Sequence, residues 1–400
     1  METRLPRLLA AALAAVVFHV SVAATADKFA GVAAAEQPFV DQGEIAGAVI
    51  LVATKDQILH VSAVGQSDLA SGRKMETTDL FWIASMSKPI TAVAVAILVD
   101  EGKLSFDDPV EKFIPEFGRL WLTQERAADH LNLVKPARPV TIRDLLTHTS
   151  GLGEYLVTGP HWTLAEMARV STLGPLRFAP GSRWGYSTAG IDAAGRVAEV
   201  ASGMPLAEFM QKRIFDPLGM THTTFWPTEA QKKTLATSYI RNPQGRLQET
   251  TIHYMYEGAI TDRQRPPLGG AGLFSTAEDV AKFYQMTLNG GAAPNGQRIL
   301  KPETLAEMTR KQTGDLRARP GMPWGLGFCV VEDPKQMEAN NTFSPGAFGH
   351  GGAFGTQSWA DSTRNLIYVF MIQRDKIPNN PDNSPMRRAY QVAVEAALAK

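Results

Sequence analysis

Apolar residues form distinct patterns along the first hundred positions, and each pattern predicts a secondary-structure element. Residues 29–42 predict a short helix. Two mainly apolar runs, 47–53 and 58–65, flank a short polar turn and predict a β-hairpin. A run over 91–99 that is apolar on nearly every side predicts a helix buried in the middle of a domain. Gly102 is placed to end that helix.

The pattern changes after residue 104. Strand-like runs become rare, and helical stretches alternate with loops rich in proline and glycine. These helical stretches are 141–148, 163–170, 191–201 and 206–215. Strand-like runs return at 325–332, 355–359 and 366–372, and an amphipathic helix over 386–399 closes the chain. We therefore predict an α/β domain formed by residues 27–104 and 265–400, with a mainly helical domain of residues 105–264 inserted between them.

The composition limits the classes of partner. The 400 residues are ample for a core, and lysine plus arginine equals aspartate plus glutamate at 40 each. A chain without net charge has no field that favours nucleic acid or an anionic membrane surface. We therefore expect no nucleic acid as a partner, and the motifs described below indicate a small-molecule partner instead.

Residues 1–26 have the composition of a secretory signal peptide. Arg4 and Arg7 precede an apolar run over 8–22, and small residues follow at 24–26. The run is short for a membrane span, and no second run of spanning length follows. We predict a secreted or periplasmic protein without a membrane span after signal removal, with a retained N-terminal anchor as the alternative.

Cysteine and histidine usage gives no indication of a metal or other cofactor. Cys329 is the single cysteine, which excludes an intramolecular disulfide, and its apolar neighbours predict a core position. The eight histidines include no H-E-x-x-H pattern. We expect the protein to need no cofactor and no metal.

The strongest candidate for chemistry lies just before the buried helix. Ser85 and Lys88 are three residues apart, so a helix would place them on one face. Burial lowers the pKa of a lysine, which could then take the proton of a serine nucleophile. Pro89 is tolerated only near a first turn, so the regular helix should begin around Met86 to Lys88. Ser85 would then lie where unpaired N–H groups and the helix dipole suit an oxyanion.

Two further stretches contain groups that suit catalysis or substrate binding. Residues 178–190 form a proline- and glycine-containing loop that carries Tyr186 to the start of a helix. Residues 348–355 are rich in glycine, contain His350 and lead into a strand. Glycines at such a position let the backbone approach a substrate closely.

With these motifs together, the chain resembles the serine hydrolase superfamily of class C β-lactamases, D-Ala-D-Ala peptidases and family VIII carboxylesterases, over about residues 30–398. The S-x-x-K motif matches at Ser85 and Lys88. The Y-x-N motif matches at Tyr186, but Thr188 replaces its asparagine, and His350 replaces the lysine of K-T-G. Other family-like stretches are 145–152, 216–220 and 269–273. The resemblance implies a β-lactamase and penicillin-binding-protein-like α/β fold, in which helices flank an antiparallel sheet.

The resemblance also implies an acyl-enzyme mechanism. Ser85 would attack an ester or amide carbonyl, and Lys88 and Tyr186 would share the proton transfers. Which of the two takes the first proton is left open, as it is for S-x-x-K enzymes generally. By the family pattern, the backbone N–H groups of Ser85 and Ala353 would form the oxyanion hole.

The same pattern assigns His350, Gly352 and Ala353 to substrate binding. In the β-lactamase pattern, the lysine of K-T-G is a permanent cation near the carboxylate of the β-lactam. His350 stands in its place, and an imidazole is largely neutral at pH 7. Thr188 likewise replaces an amide by a hydroxyl. We therefore expect an enzyme that cleaves short- to medium-chain carboxylic esters, with aromatic residues such as Trp184 and Phe354 lining the acyl pocket.

Several alternatives compete with this interpretation. The stretch 185–189 approximates a G-x-S-x-G nucleophile elbow around Ser187, but no apolar strand precedes it. His148 and Ser150 could pair, although we interpret them as structural. Tyr186 could be a loop anchor beside Trp184. The protein could also be a β-lactamase, a D-Ala-D-Ala carboxypeptidase or D-aminopeptidase, or a non-catalytic penicillin-binding-like sensor.

Overall fold

The computed structural model describes residues 28–155, 159, 161–252, 258–337, 342–377 and 384–399. The proposed signal peptide lies outside the described residues. The strands are β1 Gly47–Ala53, β2 Ile58–Asp68, β3 Arg73–Lys74, β4 Phe81–Trp82, β5 Leu122–Arg126, β6 Leu131–Val134, β7 Tyr239–Arg241, β8 Leu247–Glu249, β9 Phe274–Ser275, β10 Cys329–Val330, β11 Phe348–Gly351, β12 Gln357–Asp361, β13 Leu366–Met371 and β14 Arg374–Asp375. The α-helices are α1 Ala30–Asp41, α2 Ser87–Asp100, α3 Ile142–Leu146, α4 Leu164–Val170, α5 Thr188–Ser202, α6 Leu206–Met210, α7 Asp216–Leu218, α8 Glu229–Lys232, α9 Ala277–Leu288, α10 Pro302–Thr309 and α11 Pro385–Leu398. A π-helical turn, Gln211–Phe215, joins α6 to α7, and 3₁₀ turns occur at Ala84–Met86, Val110–Lys112 and Pro115–Arg119.

The main sheet joins the two ends of the chain. Its strands lie in the order β10-β11-β12-β13-β1-β2-β3, and every neighbouring pair is antiparallel. Val49 of β1 lies opposite Met371 of β13, which brings residues more than three hundred positions apart into one ladder. The expected antiparallel sheet flanked by helices is confirmed. The predicted hairpin is also confirmed, and β2 extends three residues further than predicted.

The apolar run of β1 is continuous because the sheet is covered on both faces. Val49 and Leu51 point into the larger core, which also contains most of α2 and the inner face of α9. Ile50 and Val52 point to the opposite face, against α1 and α11. Successive residues of a strand face opposite sides, so burial of both sides requires apolar residues at every position.

Helix α2 is buried along nearly its whole length. Every residue from 87 to 98 is buried, which agrees with the helix predicted from the apolar run. The helix begins at Ser87, close to the start that Pro89 predicts. It ends before Gly102, whose φ of +70° is a left-handed conformation.

The stretch 105–264 contains the predicted helices and also strands that the prediction missed. β5 and β6 form one hairpin, and β7 and β8 form another. β7 also pairs in parallel with β14 near the C-terminus, so this region is tied to the α/β part by backbone hydrogen bonds. The strands β5 to β8 have three to five residues, and several of their side chains are polar and exposed, so they lack the apolar alternation that marks a strand. Residues 348–351, expected to lead into a strand, are already strand β11.

Within the described residues, no helix has both the length and the apolar character needed to cross a membrane.

Candidate active site

Ser85 lies in a tight turn directly before α2. From residue 81 to residue 98 it alone is partly exposed. The preceding residue, Ala84, has φ +47°, a left-handed conformation that costs a non-glycine residue about 1–3 kcal/mol. The Ser87 hydroxyl donates to the Ala84 carbonyl at 2.6 Å and accepts from the Leu273 N–H at 3.2 Å. These bonds hold a strained turn that presents the Ser85 hydroxyl to a cavity.

The Lys88 amine lies directly beneath that hydroxyl. Its Nζ is 3.0 Å from Ser85 Oγ, and it donates to the Gly270 carbonyl at 2.6 Å. It also lies 4.7 Å from the centre of the Tyr186 ring. Lys88 is fully buried, and this burial lowers the pKa of its amine to about 8, against the opposing negative charges of Asp192 and Glu154.

Asp192 is a buried carboxylate that the sequence analysis did not single out. It lies on α5 and is fully buried. Its oxygens accept from the Gly270 N–H at 2.7 Å and from the Tyr155 hydroxyl at 2.8 Å. Burial raises its pKa to about 6, against those two hydrogen bonds and the charge of Lys88. A carboxylate among the small and apolar residues of α5 was the signal available in the sequence.

Tyr186 is held at the start of α5. The next residue, Ser187, caps the helix by accepting from the Gly190 N–H at 3.1 Å. The Ser187 hydroxyl also lies 3.4 Å from the Gly153 carbonyl, and the residue is buried. Ser187 is therefore a capping residue rather than the nucleophile of a G-x-S-x-G elbow.

His148 packs against Tyr186 inside a group of aromatic rings. The two ring centres are 4.5 Å apart, and the Trp184 and Trp324 rings lie 5.9 and 5.0 Å from the imidazole. His148 Nδ1 accepts from the Ser187 N–H at 3.2 Å. Burial holds the pKa of His148 well below its ordinary value, and the charge of Lys88 acts in the same direction. His148 thus supports Tyr186 as a neutral ring.

Ser150 has a different role from His148. Its hydroxyl accepts from the Leu152 N–H at 3.3 Å within the same turn. This agrees with the structural interpretation of both residues.

The strand β11 and the turn after it form the opposite wall. His350 lies on β11 opposite Ser358, with Nδ1 2.6 Å from the Gly351 carbonyl. Gly352 donates its N–H to the Thr356 carbonyl at 2.7 Å. A Cβ at Gly352 would clash with Thr356 Oγ1 and lie 2.7 Å from the Ile83 carbonyl. Only glycine therefore lets this turn pack against the backbone just before Ser85.

These groups surround one cavity of about 360 Å³. Most of its wall is apolar or aromatic, and Arg319 and His350 supply the basic groups. The lining residues are Ser85, Trp184, Tyr186, Ala318, Arg319, Met322, Trp324, Cys329, His350, Gly351, Gly352 and Ala353. The structure thus brings Ser85, Tyr186, His350, Gly352 and Ala353 to this cavity. Lys88 contacts Ser85 below it.

The lining differs from expectation in three ways. The prediction that Phe354 lines the pocket is wrong. Its side chain is fully buried and packs edge-on against Trp82, with ring centres 4.9 Å apart. Trp324 and Arg319 line the cavity and were missed. Cys329 is buried, as predicted for a core residue, and it also contributes to the cavity wall.

Thr188 has a different environment from that expected of a substrate-binding residue. Its backbone N–H donates to Glu154 at 3.0 Å, and its methyl group faces Gly270.

In the described part of the chain, no group of three or more histidine, cysteine, aspartate or glutamate side chains is placed to hold a metal ion.

The sheet, the buried helix and the cavity at its N-terminus define the class of the fold, that of β-lactamases and penicillin-binding proteins. The beta-lactamase family model matches residues 32–392. Protein Rv1367c of Mycobacterium tuberculosis is 34% identical, covering 90% of this chain and 92% of that protein. Esterase EstB of Burkholderia gladioli is 32% identical, covering 82% of this chain and 86% of EstB. The solved structure of EstCE1, described as a hydrolase with promiscuous acyltransferase activity, is 26% identical with a TM-score of 0.75, covering 94% of this chain and all of that one.

On this evidence the chain belongs to the beta-lactamase family.

Proposed function

We propose that the protein is a serine hydrolase that cleaves carboxylic esters through an acyl-enzyme on Ser85. The observation that carries this proposal is the contact between the buried Lys88 amine and Ser85 Oγ, at 3.0 Å. A lysine with a pKa near 8 is partly neutral close to physiological pH and can accept a proton. The names of two relatives, esterase EstB and the hydrolase EstCE1, support the same reaction class.

In the acylation step, Ser85 Oγ attacks the ester carbonyl carbon and forms the new C–O bond. Its proton passes to the pair formed by Lys88 and Tyr186. The tetrahedral intermediate collapses, the bond to the alcohol oxygen breaks, and the same pair returns the proton to the leaving alcohol. The 4.7 Å contact between Lys88 Nζ and the Tyr186 ring supports their action as a unit.

The negative charge of the intermediate would be stabilised by the N–H groups of Ser85 and Ala353. Both residues line the cavity. The close packing of Gly352 against the Ile83 carbonyl supports this arrangement, because it fixes the Ala353 peptide beside the Ser85 turn. Such preorganised donors typically contribute about 3–4 kcal/mol each to the transition state.

In the deacylation step, a water molecule attacks the Ser85 ester and releases the carboxylic acid. The proton of the water passes to the same pair and then to Ser85 Oγ, which restores the enzyme. Hydrolysis therefore consumes one ester and one water and yields one acid and one alcohol, without a cofactor.

The cavity supports small substrates. Its volume of about 360 Å³ is at the lower end of the usual range for small-molecule sites, about 300–1,000 Å³. The Trp184, Met322 and Trp324 side chains form an apolar wall suited to a short or medium acyl chain. A cephalosporin or a D-Ala-D-Ala peptide presents a carboxylate. For this group the cavity offers the half-exposed Arg319 and His350, which stands in the place of the K-T-G lysine.

A substrate panel tests the proposal. The purified protein would be assayed with p-nitrophenyl butyrate, a chromogenic cephalosporin and a D-Ala-D-Ala peptide under one set of conditions. We expect the largest kcat/KM for the butyrate ester. A larger kcat/KM for either carboxylate-bearing substrate would contradict the ester assignment and favour a β-lactamase or peptidase.

The composition of residues 1–26 supports export to the periplasm or the medium. The intact mass of the exported protein tests this inference. A mass that corresponds to a chain beginning at about residue 27 is expected, and a full-length chain retained with the membrane would favour the anchor alternative.

A further inference from the structure

One residue of the glycine-rich stretch 269–273, Gly270, connects the Lys88 amine to Asp192. The Gly270 carbonyl accepts from Lys88 Nζ at 2.6 Å, and the Gly270 N–H donates to Asp192 Oδ1 at 2.7 Å. The amine that contacts Ser85 is therefore hydrogen-bonded, through a single residue, to a buried carboxylate. The role of the family-like stretch 269–273 at the site is thus to link Lys88 to Asp192.

The carboxylate is held from a second side. Asp192 Oδ2 accepts from the Tyr155 hydroxyl at 2.8 Å, and Asp192 is fully buried. Asp192 lies on α5, the helix that begins two residues after Tyr186. The same helix thus positions both the phenol and the carboxylate relative to Lys88.

The glycine turn has little freedom to move. The Thr91 hydroxyl donates to the Gly269 carbonyl at 2.7 Å, and a Cβ at Gly269 would lie 2.9 Å from the Thr91 side chain. A Cβ at Gly270 would lie 2.6 Å from Thr188 Cγ2 and 3.3 Å from Asp192 Oδ1. The turn is packed directly between α2 and α5, so the backbone on both sides of Gly270 keeps one orientation.

We propose that Asp192 is a positioning residue for acylation, which holds the Gly270 carbonyl against the Lys88 amine and, by its negative charge, governs the pH at which that amine becomes a base. This inference rests on the proposed function, in which Lys88 carries the proton of Ser85. Asp192 acts through the backbone of Gly270, and its hydrogen bonds to Gly270 and Tyr155 keep it in place.

The charged and titratable groups around Lys88 decide the direction in which its pKa shifts when the charge of Asp192 is removed. Asp192 and the exposed Glu154 are the acidic groups that favour its charged form. Two histidines, His148 and His350, lie beside the Tyr186 ring, whose centre is 4.7 Å from the Lys88 amine. Burial lowers the pKa of Lys88, and Asp192 is the larger of the two opposing charges. The charge of Asp192 raises the pKa of Lys88 and so opposes the effect of burial. When that charge is removed, the pKa of Lys88 falls and the neutral amine appears at lower pH.

The test uses Asp192→Asn, which keeps an oxygen for the Gly270 N–H and removes the charge. The acid-side midpoint of kcat/KM for p-nitrophenyl butyrate should fall by about 1 pH unit, the lower end of the effect of a nearby opposite charge. The pH dependence of inactivation by a fluorophosphonate should shift by the same amount. Asp192→Ala removes the hydrogen bond as well, and its kcat should fall by about 10², the usual result of misplacing a catalytic group.

Glu154→Gln is the matched control, since it removes an exposed carboxylate that is bonded to Thr188 rather than to Gly270. Its midpoint should move by about 0.3 unit or less because solvent screens exposed charges. An Asp192→Asn midpoint equal to that of the wild type, or equal shifts in Asp192→Asn and Glu154→Gln, would overturn the inference. A loss of kcat in Asp192→Asn with an unmoved midpoint would mean a merely structural role and would overturn it too.

Tyr155→Phe provides a second variant if changes at Asp192 prevent folding. It removes the hydroxyl that stabilises the carboxylate, which raises the pKa of Asp192 and weakens its charge, so the midpoint should shift in the same direction by a smaller amount. An unchanged midpoint in this variant would count against the inference. Wild-type protein that neither reacts with the fluorophosphonate nor hydrolyses esters would instead contradict the proposed function, so the two failures are distinguishable.

Discussion

The Lys88 amine lies 3.0 Å from the Ser85 hydroxyl and is fully buried, while Ser85 itself faces the cavity. Only the neutral amine can accept the serine proton, and burial lowers the pKa of Lys88 to about 8. We therefore expect kcat/KM for p-nitrophenyl butyrate to rise with pH through a midpoint near 8. The measurement is a pH–rate profile from about pH 6 to about pH 10, corrected for spontaneous hydrolysis. A profile that is flat across this range would contradict the role of Lys88.

Tyr186 provides the second prediction. Its ring contacts both Lys88 and His148, so Tyr186→Phe keeps the packing and removes only the hydroxyl. If the hydroxyl carries a proton, kcat should fall by about 10²–10⁴ with an unchanged circular dichroism spectrum. Tyr239→Phe is the matched control, because that hydroxyl accepts from the Leu69 N–H away from the cavity. Near-wild-type turnover in Tyr186→Phe would return Tyr186 to the role of a loop anchor.

A buried acid outside the site predicts how stability depends on pH. Glu36 of α1 is fully buried against α11, and burial raises its pKa from near 4.5 to about 8, with the Tyr390 backbone only partly opposing. The folded state therefore holds a proton that the unfolded state has lost between these values. Glu36 contributes full stability below about pH 4.5, and this contribution falls as pH rises to about 8, by a few kcal/mol in total.

Glu36→Gln should remove most of that decline. The measurement is the free energy of unfolding by urea at several pH values across this window, compared with the wild type. The exposed Glu229→Gln serves as the control and should leave the wild-type slope unchanged. An equal slope in Glu36→Gln and the wild type would show that Glu36 does not govern this dependence.

The basic groups of the cavity predict substrate selectivity. Arg319 lines the cavity from a half-exposed position, so its contact with a substrate carboxylate is worth about 1 kcal/mol or less. Arg319→Gln should lower kcat/KM for a cephalosporin by up to about fivefold and leave p-nitrophenyl butyrate unaffected. His350→Lys adds a permanent cation on β11 and should shift the ratio toward carboxylate-bearing substrates. An equal effect of either change on both substrates would mean that charge does not set the selectivity.

Much of the fold was predictable because long apolar runs have few alternatives. The hairpin at β1 and β2 and the buried α2 follow from continuous apolar stretches, and the helix start follows from Pro89. The strands β5 to β8 were missed because they are short and several of their side chains are polar and exposed. Tertiary packing also supplies one of the pairings, that of β7 with β14, which lies more than 130 residues away along the chain.

The site was predictable where the chemistry is local in sequence. Ser85 and Lys88 are one turn apart, so their contact follows from helix geometry. The contact of Lys88 with Gly270, and of Gly270 with Asp192, joins residues about 80 to 180 positions apart, which no local pattern reveals. Phe354 was misplaced because its neighbouring glycine turn leaves the direction of its side chain open.

The location of the acyl or phosphonyl adduct tests the central claim most directly. The wild-type protein, Ser85→Ala and Lys88→Ala would each be treated with a fluorophosphonate, digested and analysed by peptide mass spectrometry. We expect a stoichiometric adduct on Ser85 in the wild type, none in Ser85→Ala, and a strongly slowed reaction in Lys88→Ala, since the two residues act as a unit. An adduct on Ser187, or full labelling of Ser85→Ala at any other residue, would contradict the assignment of Ser85 as the nucleophile.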